Sequence, residues 1–379
     1  MKIVYVLNED ISRVTGVTHK VISQISIWNE FGNIIKVIAL NSTATNSQIQ
    51  DSVILTANAK KTLIGKFLRN VFLIKSLKKE LEKFKPDLIY SRYICYIPCL
   101  VKTFKAAAPY IIEINTNDID EIKQCNKFKY FYNILTRRFL LNNADGFVFV
   151  SNELKNLKCF KRFQKPSIMC SNAIGIKDSN ITNLTNRNNR AKHKVVFIGT
   201  LNQPWHGIDK IIFLANSLKN IEFNIIGYTH GELISYINNY KSLFLSHNII
   251  CHGFLNHAKA INIIANCDVG IGSLALHRNK MNEASPLKVR QYLALGLPII
   301  IGYQDTDLMG KKLDFVLELE NTETNIANNL DKIKKFIYTS KTFDNIKIRE
   351  FSIANLGYQS KEEAKLNFFK RITQSHHKI

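Results

Sequence analysis

Short, nearly unbroken apolar runs recur from the first residue to about 303, and between them lie stretches in which apolar residues return every three or four positions. Runs of this kind bounded by turn residues predict strands buried on both faces, and the longer periodic stretches predict amphipathic helices. In the first half the runs fall at 2–7, 34–40, 53–57, 87–92, 110–115, 145–151 and 167–171. A second series follows at 194–199, 222–227, 248–251, 268–273 and 298–302, with helical patterns opening near 206, 231 and 257. Strands alternating with helices predict α/β architecture with parallel, doubly wound sheets. Such sheets bind ligands beyond the carboxyl ends of their strands, so the loops after each strand are where chemistry is sought.

Between Ser171 and Lys194 the pattern lapses into Asn, Thr, Ser, Arg and Lys with few apolar residues, the composition of a linker. A chain of 379 residues also exceeds one comfortable core. The expected organisation is therefore a domain over 1–172, a linker over 173–193, a second domain over 194–355 and a closing helix in 356–379. That helix, amphipathic over Gln359 to Ile372, is expected to cross back onto the first domain.

The stretch with the most chemistry runs from Glu283 to Pro298. Ser285 is a suitable N-cap, Pro286 suits a first helical position, and Gly296 with Pro298 ends the helix about three turns later. The unpaired amides and positive dipole end of such a helix attract anions, and Lys288 adds a full charge in the same turn. A phosphate fits there. Glu283, just upstream, fits beside a phosphate if it holds something else, such as sugar hydroxyls. Arg278 follows the preceding strand and can reach the same anion. Many capped helices after strands bind nothing, so the surrounding loops decide between the two readings.

Several of those loops carry candidates. Gly16, after the first strand, either lets backbone approach a ligand or merely turns the chain. Arg92 closes the fourth strand and suits an anion or acceptor contact. Asn115 closes the fifth and leads into a polar cluster ending at Glu121. Glu113, inside that strand's apolar run, must be functional or paired with a basic neighbour, because a lone buried carboxylate is costly. In the second half Gly199 and Thr200 lead into His206 and Gly207, and Gly227 precedes Tyr228, whose ring suits stacking on a base. Gly270 and Gly272 lie inside a strand and lack the rest of a dinucleotide fingerprint. Asp118-x-Asp120 and Asp305-x-Asp307 have a form that elsewhere holds a metal for a diphosphate, but such pairs arise by chance, and no metal is assigned.

Composition narrows the function classes. With 46% hydrophobic and 22% charged residues the chain is globular. No apolar run reaches the roughly 20 residues of a membrane span. The opening apolar segment is too short for a signal peptide, which predicts a cytoplasmic protein. Seven scattered cysteines without metal spacing read as reduced thiols. The net charge of +22 draws polyanions, whether nucleic acid, an anionic membrane face or phosphorylated ligands. Much of the excess lies at 60–85, a helical pattern read first as core-packing with a solvated basic face and second as an attachment to an anionic leaflet.

Taken together, the chain resembles a GT-B glycosyltransferase of the large retaining family 4, which includes enzymes of bacterial capsule, O-antigen and lipopolysaccharide assembly. The resemblance spans nearly the whole length and rests on Phe197–Thr200 with His206 and Gly207, on Ala144–Ser151, on Ser171–Ala173, and above all on Asn282–Pro298. It implies two Rossmann-like domains, the first for the acceptor and the second for a UDP- or GDP-linked sugar, with no cofactor, no metal and no nucleic acid. In the family motif one glutamate touches the donor sugar, amides and a basic residue hold the diphosphate, and a second glutamate binds the ribose. Glu283 takes the first place, Ser285, Pro286, Leu287 and Lys288 the phosphate positions, and Gln291 stands where the second glutamate is usual. Gly16, Gly199, Thr200, His206, Gly227 and Tyr228 complete the expected nucleotide side, and Arg92, Asn115 and Glu121 the acceptor side. Glu283, Lys288 and Arg278 are the expected catalytic residues of a retaining hexosyltransferase acting on a glycan or lipid-linked acceptor, with peripheral contact to an anionic membrane. The rival readings are a GT-B protein that binds sugar nucleotide with little or no turnover, and a basic polyanion-binding protein.

Overall fold

The structure is a computed structural model of the chain and describes all residues except 13–14, 41, 47–48, 50, 56–62, 175–191, 201–202, 239–243 and 377–379. Most of the expected linker, and Lys60 and Lys61 of the basic stretch, lie outside the described residues. Two compact units are resolved, one of Met1–Ser171 with the final segment from Tyr358, the other of Asn172–Gly357.

The first unit is built on seven parallel strands, β1 (Lys2–Leu7), β2 (Ile34–Leu40), β3 (Ser52–Leu55), β4 (Leu88–Arg92), β5 (Tyr110–Ile114), β6 (Gly146–Phe149) and β7 (Ser167–Met169). Their order is β3-β2-β1-β4-β5-β6-β7. Every residue of β1 after Lys2 is buried, as expected for a central strand covered by helices on both faces. The helix Leu63–Phe84 turns Leu73, Leu77 and Leu81 inward and leaves Lys75, Lys78 and Lys79 exposed, so its described side chains follow the core-packing pattern.

The last helix, Tyr358–His376, belongs to this core. Trp28, on the helix Gly16–Glu30, stacks on Tyr5 at 5.7 Å and meets Phe369 of the last helix edge-on at 5.6 Å. Glu362 accepts hydrogen bonds from Trp28 Nε1 at 2.8 Å and Gln24 Nε2 at 3.0 Å, and pairs with Lys365 at 2.8 Å. Buried charges of this kind persist only when paired and hydrogen-bonded, and here each has a partner.

The second unit repeats the scheme with β8 (Lys194–Ile198), β9 (Glu222–Ile226), β10 (Ile249–Gly253), β11 (Val269–Ile271), β13 (Ile299–Ile301) and β15 (Val316–Glu318). These run parallel in the order β10-β9-β8-β11-β13-β15, so its first strand again lies inside the sheet. A separate parallel pair, β12 (Glu283–Ala284) with β14 (Gln304–Asp305), stands beside it. Sequence pattern did not reveal that pair, because two-residue strands have no period to read.

The helix expected after Glu283 spans Leu287–Ala294, one residue later than the capping residues predict. Pro286 occupies the cap and has no side-chain acceptor for the free amides, whereas Ser285 is turned to another task described below. Gly296 ends the helix at φ +70°, where a Cβ would stand 2.4 Å from the carbonyl oxygen of Asn345. Only glycine combines that conformation with that approach.

Candidate functional site

Of the donor-side candidates, all but Gly16 lie in the second unit, at the carboxyl ends of β8 and β9 and about the start of the helix Leu287–Ala294. Gly227 has φ +94°, and a Cβ on it would fall 1.8 Å from the carbonyl oxygen of Gly199. A Cβ on Gly199 would in turn lie 2.5 Å from Phe197 Cε1 and 3.0 Å from His206 Nδ1. The two strand ends thus touch backbone to backbone, which draws the loop carrying His206 close to both. Pro204–His206 forms a single 3-10 turn, followed by Gly207 at φ +71°. The carbonyls of Trp205 and His206 accept from the amides of Ala275 and Leu274, each at 3.2 Å, fixing the turn to the chain after β11.

Lys288 is the second residue of its helix, and its Nζ is shielded from solvent without a hydrogen-bond partner, although the residue as a whole is half-buried. The ammonium sits 4.2 Å from the centre of the Phe197 ring. Burial pushes its pKa down to about 7. His206, 7% exposed, meets the same Phe197 ring edge-on at 5.7 Å, and its Nδ1 has no hydrogen-bond partner. Burial first, then the nearby Lys288, holds His206 well below the usual histidine range. A buried ammonium with no hydrogen-bond acceptor, beside helix amides that lack intrahelical acceptors, makes a place that favours an anion. Gln291 lies one turn further along, half-buried, on the Lys288 face of the helix.

Glu283 is 6% exposed and is held in β12. What holds β12 is Arg290, a residue that sequence reasoning passed over. Its Nη1 and Nη2 grip Asp305 of β14 at 2.7 and 2.9 Å, and Nη2 also reaches Asp307 at 2.6 Å. The same Nη2 donates to Ser285 Oγ at 3.0 Å, while that oxygen also accepts from the Asn172 amide at 2.8 Å. Ser285 Oγ is occupied in this way and does not cap the helix. The Asp305-x-Asp307 pair is thereby explained as the counter-charge of one buried arginine. The available signal was an arginine inside a helix whose neighbours Val289 and Leu293 are core residues.

Three expectations change. Arg278, expected to face a diphosphate, is instead bound bidentately by Asp209 at 2.8 and 2.7 Å and also pairs with Glu323. Its Nη1 further donates to the carbonyl of Pro204 at 3.2 Å, so it props the turn that carries His206. Tyr228, expected to offer a ring for stacking, is 2% exposed and its hydroxyl donates to the carbonyl of Thr200 at 2.7 Å. It buttresses the loop from below. Ser285 and Pro286 shape the helix entry as described, and Leu287 begins the helix. Thr200 itself is exposed.

The first-unit candidates are placed as follows. Gly16 opens the helix Gly16–Glu30 and is exposed, with Thr15 as its cap accepting from the Thr18 amide. Arg92 ion-pairs with Glu9 at 3.0 Å. Asn115, directly after β5, and Glu121, in the helix Asp118–Cys125, are half-buried. Burial raises the Glu121 carboxyl, against a hydrogen bond from Thr116. Glu113 resolves to the paired alternative, with Lys20 Nζ at 2.7 Å and the Tyr90 hydroxyl bonded closely to it. Burial alone would raise this carboxyl, but Lys20, Lys365 and Arg92 hold it well below the usual range. Asp118 grips Arg137, and Asp120 accepts from Asn117, so the other Asp-x-Asp pair is likewise engaged within its own unit.

No family model and no curated protein matches the sequence. Among solved structures the chain is similar to sucrose-phosphate synthase from Thermosynechococcus elongatus, at TM-score 0.74 and 11% identity over 99% of this chain and 100% of that one. It is similar as well to HepE of Anabaena in complex with UDP and glucose, at TM-score 0.67 and 14% identity over 98% and 99%. A third likeness is to the lipopolysaccharide outer core galactosyltransferase WaaB, at TM-score 0.65 and 12% identity over 98% and 99%. These are glycosyltransferases, and the chain has their GT-B fold, with two Rossmann-like parallel sheets. At such identities the likeness speaks for the fold alone.

Proposed function

We propose that this protein is a metal-independent glycosyltransferase. In this reading it moves a hexosyl group, with retention, from a UDP- or GDP-sugar to a hydroxyl of a cell-surface polysaccharide or lipid-linked precursor. The carrying observation is the Lys288 ammonium, shielded from solvent without a hydrogen-bond partner, at a helix start in a GT-B second unit. A diphosphate supplies the acceptor atoms that the Lys288 ammonium lacks. The solved structures of HepE with UDP and glucose, and of an alpha-glucosyltransferase with UDP, support a nucleotide sugar as the ligand class.

Chemically, the bond between the anomeric carbon and the diphosphate oxygen breaks while a bond from the acceptor oxygen forms on the same face. The acceptor proton passes to the departing phosphate. Negative charge grows on the leaving oxygen as the bond breaks, so Lys288, held in its protonated form by the adjacent anion with the proton taken up from solvent, and the first-turn amides stabilise the transition state more than the ground state. Glu283 orients the sugar through its hydroxyls, and Gln291 hydrogen-bonds the ribose as donor and acceptor without charge.

The test is turnover of a panel of UDP- and GDP-sugars, with and without EDTA, by the parent and by Lys288→Met and Glu283→Ala. The expected result is release of nucleoside diphosphate from at least one donor, unchanged by EDTA and reduced about 100-fold or more in each variant. Inert donors, or near-normal turnover by Glu283→Ala, would refute the assignment. If nucleotide binds but does not turn over, the protein is instead a sugar-nucleotide-binding relative.

A further inference from the structure

The first unit contains a cavity of about 140 Å³ at the β7 edge of its sheet. Phe147 and Phe149 of β6 share one face with Ser167 of β7, because side chains alternate along a strand and Phe147 pairs with Ser167. The short helices Asn152–Asn156 and Lys158–Lys161 pack over these strands and bring Phe160 to the same space. The three rings, all buried, make an aromatic floor, with Phe149 edge-on to Phe147 at 5.8 Å and to Phe160 at 5.6 Å. Rings packed edge to face hold one another in place, so none swings into the gap beside them. The size of that gap sets what fits. An apolar cavity of about 150 Å³ admits a benzene ring, so this one accommodates a body of a single ring.

The rim gives the charge of the ligand. Lys155, Lys161 and Lys165 border the cavity, and the run from 155 to 165 adds Lys158 and Arg162 with no acidic residue. Among the described residues none of the three rim ammonium groups is ion-paired. Lys155 and Lys165 are half-buried, so an anion between them gains more than it would in open water. Gln164, also at the rim, has φ +48°, a left-handed conformation that glycine adopts without cost. The chain thus keeps an amide that donates to a carboxylate where a bare turn would be more relaxed. A sugar fits poorly, since its hydroxyls find no partner on a floor of rings, and free phosphate has no apolar body to set against them. We propose that this cavity is a second small-molecule site, which takes an aromatic monocarboxylate. The ring lies on Phe147, Phe149 and Phe160, and the carboxylate among Lys155, Lys161 and Lys165. Lys288 and Glu283 belong to the other unit, so this site goes beyond the glycosyltransferase reading and stands without it.

The experiment titrates the full chain with benzoate by calorimetry, against three controls. Benzyl alcohol keeps the ring without the charge, acetate keeps the charge without the ring, and inorganic phosphate carries charge alone. Benzoate is expected to bind with a Kd of about 1 mM or tighter, as a ligand of so few atoms allows, and at least tenfold more tightly than any control. Lys155→Gln/Lys165→Gln should weaken benzoate at least tenfold and leave benzyl alcohol unchanged; neither side chain is in the core, so the variant should melt as the parent does. Ser167→Phe, which puts a ring into the gap, should abolish benzoate binding. Saturating UDP should leave benzoate in place. Benzoate that binds no more tightly than a control, binding undiminished in the lysine variant, or displacement by UDP would overturn the proposal.

Discussion

Lys288 shows how one side chain links stability, pH and ligand. Its folded pKa is pushed down to about 7 from 10.5 by burial. Between those values the unfolded chain holds a proton that the folded chain has shed, so the contribution of this residue to stability rises as pH climbs from about 7 toward 10.5. An anion reverses the shift, since it favours the charged form. Donor binding above pH 7 should therefore take up a proton, and affinity should weaken as pH rises; calorimetry in buffers of different ionisation enthalpy reads both. Lys288→Met should remove the proton uptake while leaving the protein at least as stable near neutrality. Gln291, on the same face, bears on donor grip. Gln291→Glu should tighten nucleotide diphosphate binding about tenfold, as a charged hydrogen bond to the ribose replaces a neutral one; a loss of binding would show that the nucleotide is held another way. Lys288 was legible because helix start, proline and lysine are sequence neighbours. The partners of Arg278 were not, because Asp209 and the Glu323 carboxylate lie 69 and 45 positions away.

At the scale of elements, the pair β12 and β14 depends on a single cation. Arg290 is 1% exposed and holds two aspartates, a serine and the carbonyl of Asn172. Removing one partner of a buried ion pair strands the others, so Arg290→Met is expected to cost about 3–5 kcal/mol, read by urea unfolding. The main strands were readable because buried parallel strands leave apolar runs, and β8, β9, β11 and β13 are where those runs fall. Two-residue strands leave none. The orientation of Tyr228 was unreadable for a related reason, as a ring after a strand points up or down according to a hydroxyl bond to Thr200 that sequence does not display.

At the scale of the whole molecule, the first unit is discontinuous in sequence, since the helix Tyr358–His376 supplies Leu366, Phe368, Phe369 and Ile372 to its core. Ending the chain at Gly357 removes those side chains together with Glu362, the acceptor for Trp28 and Gln24. Such a truncation should be insoluble or show no cooperative melting of the first unit, whereas Glu362→Gln should remain folded with a lowered thermal midpoint. The arrangement also sets an order on synthesis. A ribosome delivers residues 1–171 first, yet the sheet they form lacks a covering helix until everything between has been made. At about 5–20 residues per second, that interval is roughly 10–40 seconds. During it the second unit can close while the first waits with an open apolar flank, so the part of the chain born earliest is the last to be sheltered, and the part most in need of a chaperone.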